Sequence, residues 1–314
     1  MAKSNLVKFT AFKNEDEAIA LLESLRWPNG AACPHCGGAD PYRLTPKTTT
    51  KTRTQRGLWK CSQCRKKFTV KVGTIFEASH IPVSKWLMAL HLISASKKGM
   101  SALQFQRMLG ITYRAAWFMA HRLRHAMASD LFVKLAGVVE ADETYVGARR
   151  LRGTKRGRPG PDSHKAPVVA LVERQGRVRL FPMPRVTANN LRDALRQHVS
   201  PSATLMTDEF GIYRTPGKEF AKHETVNHGA GEYVRGEAYT NTAEGVFSLL
   251  KRGINGSFHH VSKGHLHRYC AEFEFRWNNR IALGVDDHQR TVNIVLGAEG
   301  KRLTFRQPSG SSAA

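Results

Sequence analysis

Val138-Val139-Glu140-Ala141-Asp142-Glu143-Thr144-Tyr145-Val146 is the stretch whose reading decides the fold. It has the β-branched and aromatic content of a strand, yet charge interrupts its apolar pattern. Before it, apolar residues recur at helical spacing. After it, strand and helix patterns alternate: strands over 168–173, 178–182 and 204–207 and near 225–227, helices near 189–198, 241–252 and 263–279. Such alternation predicts an α/β domain. A carboxylate inside or at the end of a buried strand is costly unless neutralised, and a divalent metal is a common way to neutralise it.

Three acids stand out by this criterion. Asp142 interrupts the quoted strand, Asp208 follows Ala-Thr-Leu-Met-Thr where a strand meets a loop, and Glu244 begins the helix Asn241-Thr-Ala-Glu-Gly-Val-Phe-Ser-Leu-Leu-Lys251. Lys251 falls seven positions after Glu244, two helical turns on the same face and roughly 10 Å along the axis. An ammonium there has the reach to meet a DNA phosphate beside the carboxylate. Two-metal phosphoryl transfer needs a few oxygen ligands that bring the ions to about 3.5–4 Å apart. Glu140, Glu143 and Glu209 are rival carboxylates, and Glu140 shares strand parity with Asp142.

Outward toward the N-terminus, Cys33-Pro-His-Cys36 and Cys61-Ser-Gln-Cys64 make two C-x2-C pairs separated by residues 37 to 60. Each pair presents two thiolates from one tight turn, and two such knuckles complete the tetrahedral set that zinc prefers. Four thiolates leave His35 unneeded as a ligand. The fifth cysteine, Cys270, lies in an apolar stripe with Leu266, Tyr269, Phe273 and Trp277, and reads as a buried thiol. Asn14 followed by Glu15, Asp16 and Glu17 opens a helix, and Pro82 with Ser84 another. Ser101 to Met127 has the shape helix, glycine turn, helix, with Thr112, Tyr113, Arg114, His121, Arg122 and Arg124 on the second element. That is a helix-turn-helix pattern with a basic side for the major groove.

The 314 residues carry 49 Lys and Arg against 25 Asp and Glu, a formal charge of +24, which favours a polyanionic partner. The 41% hydrophobic content suffices for packed cores. No targeting or membrane-spanning stretch is visible, so the expectation is a protein of the cytoplasm associated with the nucleoid, without membrane partners.

Several stretches together resemble insertion-sequence transposases of the Asp-Asp-Glu (DDE) class, and more narrowly the fifteen-ninety-five group (ISXO-type). They are Arg26-Trp-Pro-Asn-Gly with Cys-Pro-His-Cys-Gly, Asp142-Glu-Thr-Tyr-Val-Gly, Thr207-Asp-Glu-Phe and Tyr239-Thr-Asn-Thr-Ala-Glu-Gly-Val-Phe-Ser-Leu-Leu-Lys-Arg-Gly. His259-His-Val-Ser-Lys-Gly-His-Leu and Glu272-Phe-Glu-Phe-Arg-Trp-Asn extend the match, which spans about residues 10 to 282. The resemblance implies a ribonuclease-H-like mixed sheet with helices, preceded by a small zinc ribbon and a helix-turn-helix region. It implies a triad of Asp142, Asp208 and Glu244 holding two Mg²⁺ or Mn²⁺ ions, with Lys251 as the accompanying basic residue. It further implies structural Zn²⁺ on Cys33, Cys36, Cys61 and Cys64. The activity implied is hydrolysis at element ends and transfer of the 3′-OH to target DNA. The partners implied are terminal inverted repeats, target DNA and further copies of the chain. Some members of this group vary the third acidic position, so Asn241 stays a candidate beside Glu244.

The expected division is 1–72 for the first helix and ribbon, 73–130 for the helix-turn-helix region, 131–285 for the catalytic domain and 286–314 for a C-terminal tail. Between Gly147 and Ala166 lie seven Lys or Arg and one acid, and Arg156-Gly-Arg-Pro159 resembles an AT-hook core. Of His259, His260, His265 and His267, the last two are separated by one residue and flanked by Lys263 and Arg268, which favours DNA contact or capping over a second metal. Two rival readings remain at this level: a DNA-binding regulator whose core is catalytically silent, and a metal nuclease that cuts without joining.

Overall fold

The computed structural model describes residues 13–45, 56–128, 133–147, 165–226 and 239–305. In chain order the elements begin with α1 (Glu15–Arg26), β1 (Pro41–Arg43), β2 (Trp59–Cys61) and β3 (Lys67–Phe68). Three helices follow: α2 (Val83–Ala95), α3 (Ala102–Leu109) and α4 (Tyr113–Met127). Then come β4 (Val138–Val146), β5 (Ala166–Glu173), β6 (Val178–Pro182), α5 (Ala188–His198), β7 (Thr204–Asp208), α6 (Arg214–Gly217) and β8 (Lys222–Val226). The last helices are α7 (Asn241–Gly253), α8 (Leu266–Asn278) and α9 (Asp287–Leu296). The chain divides into two compact units: Met1–Ser96 with Met100–Met127 and Val285–Ala314, and Lys97–Gly99 with Ala128–Gly284.

In the first unit Asn14 caps α1 through the Asp16 N–H, and the acids of the first turn face the positive end of the helix dipole. Pro82 gives α2 no side-chain cap of its own. Glu15 supplies one instead, accepting from the N–H groups of Val83 and Ser84 at 2.7 and 3.0 Å and from the Ser84 hydroxyl at 2.8 Å. Ser101 and Gln104 form a reciprocal capping box on α3, which ends at Gly110 in the left-handed region. β1, β2 and β3 form a three-stranded antiparallel ribbon over Cys33, Cys61 and Phe68, with Trp27 and Trp59 packed against them.

Two expectations change here. Residues 286–314 are not simply a tail, because 287–296 form α9, capped by Asp286 and packed on α1, α2 and α4. Its apolar residues Ile294 and Val295 are buried, but Gly and polar residues around them dilute the helical pattern. His121, Arg122 and Arg124 are also buried rather than lying on a DNA-facing side. Arg122 donates to the Glu77 carbonyl at 3.0 Å and Arg124 to the Met100 carbonyl at 3.3 Å. This stretch of α4 is buried, so Arg122 and Arg124 satisfy backbone oxygens instead of water. Thr112, Tyr113 and Arg114 at its start remain exposed.

The second unit is built on a five-stranded mixed sheet ordered β6-β5-β4-β7-β8. β4, β5 and β6 are antiparallel neighbours, while β7 and β8 run parallel to β4. This is the ribonuclease-H-like arrangement expected above. Strand parity sorts the two cores. Val168, Ala170 and Val172 of β5 join Val246, Phe247, Leu250 and Phe273 of α7 and α8 on one face. Val139, Ala141, Val169 and Leu171 join Leu191, Leu195 and Tyr213 on the other. Burial on both faces is what a run such as Val168-Val-Ala-Leu-Val demands. The stripe Leu266, Tyr269, Cys270, Phe273 and Trp277 packs in the first of these cores, as expected, and burial raises the Cys270 thiol.

Candidate active site and metal centres

At the ribbon, Cys33 accepts the Gly37 N–H at 2.8 Å through its carbonyl, and its own N–H donates to the Gly38 carbonyl at 2.9 Å. Gly37 adopts φ of 75°, where a side chain would be strained, so the knuckle needs glycine there. The second knuckle closes by the Cys61 N–H on the Lys66 carbonyl at 3.0 Å. All four Sγ atoms lie within 4.8 Å of one another. The Cys33–Cys64 and Cys36–Cys61 separations are 3.7 and 3.6 Å. Zinc with bonds of about 2.3 Å sets tetrahedral edges of about 3.8 Å, so the donors fit the ion. Backbone N–H groups of Cys64 and then Gln63 hold the Cys61 thiol down at about 7, which favours its thiolate. His35 packs edge-on against Phe68.

In the second unit, Asp142, Glu244 and Lys251 line one cavity of about 800 Å³. The parallel pairing places Glu140 opposite Met206, and the same register carried two residues on brings Asp142 level with Asp208. Burial pushes the Asp142 carboxyl up to about 7, partly offset by the Glu143 N–H that it accepts. The charges of Glu143, Asp208 and Glu244 push in the same upward direction. Asp208 accepts the Phe210 N–H at 3.1 Å, fixing the turn after β7. Among the described residues, these carboxylates do not form a group with ligand atoms all within 4.8 Å, as the cysteines do.

The rival acids separate clearly. Glu140 is fully buried and already engaged. It accepts from the Thr242 N–H at 2.9 Å, the Thr242 hydroxyl at 2.9 Å and the Ala243 N–H at 3.0 Å, and pairs with Arg174 at 2.8 Å. Strand parity aimed it correctly at the face of Asp142, but there it meets the N-terminus of α7. It caps that helix and so anchors to β4 the start of α7, where Glu244 stands. Arg174 in turn donates to the Tyr239 carbonyl and lies 3.4 Å from the centre of its ring. Glu140→Gln takes away the fully buried charge that pairs with the half-buried Arg174 and caps α7, so it is expected to destabilise the chain by about 3 kcal/mol, read by urea denaturation. Glu143 accepts the Tyr213 hydroxyl at 2.8 Å and also lines the cavity. Asn241 and Glu209 are exposed, and neither lines the cavity.

Sequence reading missed further cavity residues: Lys98, Ser248, Arg252 and Asn255. The helical periodicity of α7 would have found Ser248 and Arg252, one and two turns beyond Glu244. Nothing local could have found Lys98, which joins this unit through the short segment Lys97–Gly99. A Cβ on Gly99 would stand 2.5 Å from Phe258 and 2.7 Å from Glu272, so only glycine lets the chain pass there. His259, His260, His265 and His267 belong to no ligand group among the described residues. The AT-hook-like Arg156-Gly-Arg-Pro159 and residues 307–314 lie outside the described residues. No described helix is long and apolar enough to cross a membrane.

Comparison with known proteins agrees with this architecture. Residues 134–278 match the ISXO2-like transposase domain and residues 13–67 the transposase zinc-ribbon domain. The chain is 30% identical over 284 residues to an uncharacterized protein in transposable element ISH50 of Halobacterium salinarum, covering 86% of this chain and 93% of that protein. The Mos1 strand transfer complex covers 69% of this chain and 79% of its own at 12% identity, with a TM-score of 0.25. A pre-cleavage Mos1 transpososome covers 69% and 80% at 12% identity, with a TM-score of 0.22. At such scores the likeness says nothing further about this chain. The two matched domains and the full-length relative together establish that the chain belongs to the ISXO2-like transposase family.

Proposed function

We propose that this transposase cuts phosphodiesters at the ends of an insertion sequence and transfers the 3′-OH to target DNA, using Asp142, Asp208 and Glu244 as ligands for two Mg²⁺ or Mn²⁺ ions. The observation that carries this reading is the convergence of Asp142, Glu244 and Lys251 on one cavity, with the charge of Asp208 felt at Asp142. The two ions, when bound, stabilise charge on the attacking and leaving oxygens of an in-line displacement.

The chain's own residues have separable tasks. Asp142 and Asp208, level on adjacent parallel strands, offer oxygens from a rigid base, and Glu244 faces them from α7, held in place by Glu140. Lys251, Lys98 and Arg252 supply positive charge where the phosphate backbone enters. Thr112, Tyr113 and Arg114 at the exposed start of α4 hold terminal repeats in the major groove, in a binding region of 73–130 beside the ribbon of 1–72. Two ends must be cut in concert, so the working state is a homo-oligomer on DNA at the nucleoid.

The experiment is Mg²⁺-dependent nicking and joining with DNA that carries the element's ends. Wild type is expected to nick and then join, and Glu244→Gln to do neither. Equal nicking by both, or by neither, identifies a regulator with a silent core. Nicking without joined product identifies a plain nuclease.

A further inference from the structure

Beyond α9 the chain returns to α4. Glu299 forms an antiparallel bridge with Thr74, and the Gly300 N–H donates to the Gly73 carbonyl at 2.9 Å. Arg302 then pairs with Glu77 at 3.4 Å, and Leu303 is buried. These anchors lead Phe305 onto the exposed first turns of α4. The Arg114 guanidinium lies over its ring, 4.4 Å from the centre. The Phe118 ring meets it edge to face, with 5.5 Å between centres. Arg122 in turn lies over Phe118 at 4.5 Å. Arg114, Phe118 and Arg122 follow one another at intervals of four along one side of the helix, so Phe305 completes a ladder of cations and rings.

An arginine on an exposed helix turn ordinarily samples many rotamers. A ring against the flat guanidinium face restrains that freedom and leaves the N–H edge open. That edge matches the O6 and N7 acceptors of guanine in the major groove, and a fork already oriented loses less freedom on binding. A phosphate needs no such plane, because a point charge serves it. Half of the Phe305 surface stays exposed, more than core packing would leave. We infer that Phe305 is a positioning residue of the DNA interface, its ring holding Arg114 for bidentate contact with a guanine of the terminal repeat. The inference rests on α4 as the recognition helix, and adds which side chain reads a base and what aims it.

The test measures anisotropy of the full-length protein, without divalent ion, on a duplex carrying the element's end and on one of equal length and composition with its sequence scrambled. A bidentate arginine–guanine pair is worth about tenfold or more in discrimination. Arg114→Lys keeps the charge but not the fork, so it is expected to lower the preference for the end by that factor and to bind scrambled DNA as before. An exposed cation–ring contact is worth about threefold. Phe305→Leu is expected to lower the preference by that much, Phe305→Tyr to retain it, and Phe305→Leu to add nothing in the Arg114→Lys background. Replacing one particular guanine of the end by 7-deazaguanine, which lacks the N7 acceptor, should weaken wild type and leave Arg114→Lys unchanged. Full preference in Arg114→Lys overturns the inference, since the contact would then be to phosphate. Binding by Phe305→Leu equal to or tighter than wild type also overturns it, because the ring would be idle or a cover over the helix. So does a Phe305→Leu loss undiminished beside Arg114→Lys. Equal wild-type affinity for both duplexes removes the recognition helix and this inference with it, whereas a preference indifferent to Phe305 removes only the inference.

Discussion

Asp142→Asn is expected to lower Mg²⁺-dependent cleavage at least about a thousandfold while making the metal-free protein more stable at pH 8. The first effect follows from losing a charged ligand. Metal ions contribute several kcal/mol to transition-state stabilisation, and about 4 kcal/mol corresponds to a thousandfold in rate. The second follows from proton linkage. The carboxyl titrates near 3.8 in an ordinary setting and about 7 in the folded chain. Between those values the folded state holds a proton that the unfolded state has released, so stability falls as pH rises through the window. Above pH 7 the buried charge carries its full cost, on the order of 4 kcal/mol as an upper value at about 1.36 kcal/mol per unit. Asparagine avoids it. Urea denaturation of both proteins without metal should show the variant ahead at pH 8 and the gap closing toward pH 4. A variant that is less stable at pH 8, or that cleaves like wild type, contradicts the site as described. The same titration predicts that Mn²⁺ affinity falls below pH 7, approaching tenfold per unit, as protons compete for the ligand.

Removing zinc is expected to unfold the ribbon outright. Its strands are two or three residues long, and its core is Cys33, Cys61 and Phe68 with Trp27 and Trp59 against them. So small a sheet has no independent stability in water. Structural zinc supplies about 10–16 kcal/mol of apparent binding energy, far more than those contacts replace. Chelation, or Cys61→Ser, should release one zinc per chain and change the fluorescence of Trp27 and Trp59, which meet edge-to-face at 6.2 Å. Amide exchange should lose protection over 33–45 and 56–68 and keep it in β4, β5 and β7, which draw on cores of their own. A metal-free protein that retains protection over 33–45 and 56–68 would show that the cysteines are not a structural centre. Removal of one buried charge at Glu140 is a smaller change than either of these.

Much of this protein is written in local patterns. Two C-x2-C pairs suffice to specify a tetrahedral centre, because each knuckle is closed by backbone bonds within a few residues. The run Val168 to Val172 requires a strand buried on both faces, and the acids at Asp142, Asp208 and Glu244 stand out because charge is costly where apolar residues surround it. Strand parity placed Glu140 and Asp142 on one face but could not say that the first meets a helix N-terminus and the second a cavity. That difference arises where α7 crosses β4, more than a hundred positions along the chain.

The sequence by itself determined the four-cysteine cluster, the α/β alternation and which acids are out of place, since each depends on the period of one element or on a short turn. Tertiary structure decided which of those acids share a space, that Glu140 serves as a cap, that Lys98 lines the cavity, that Arg122 and Arg124 are interior, and that residues 287–296 are a packed helix. The physical reason is that burial belongs to pairs of elements. A residue's period fixes which way it points, and only the neighbour that arrives from elsewhere in the chain fixes what it meets.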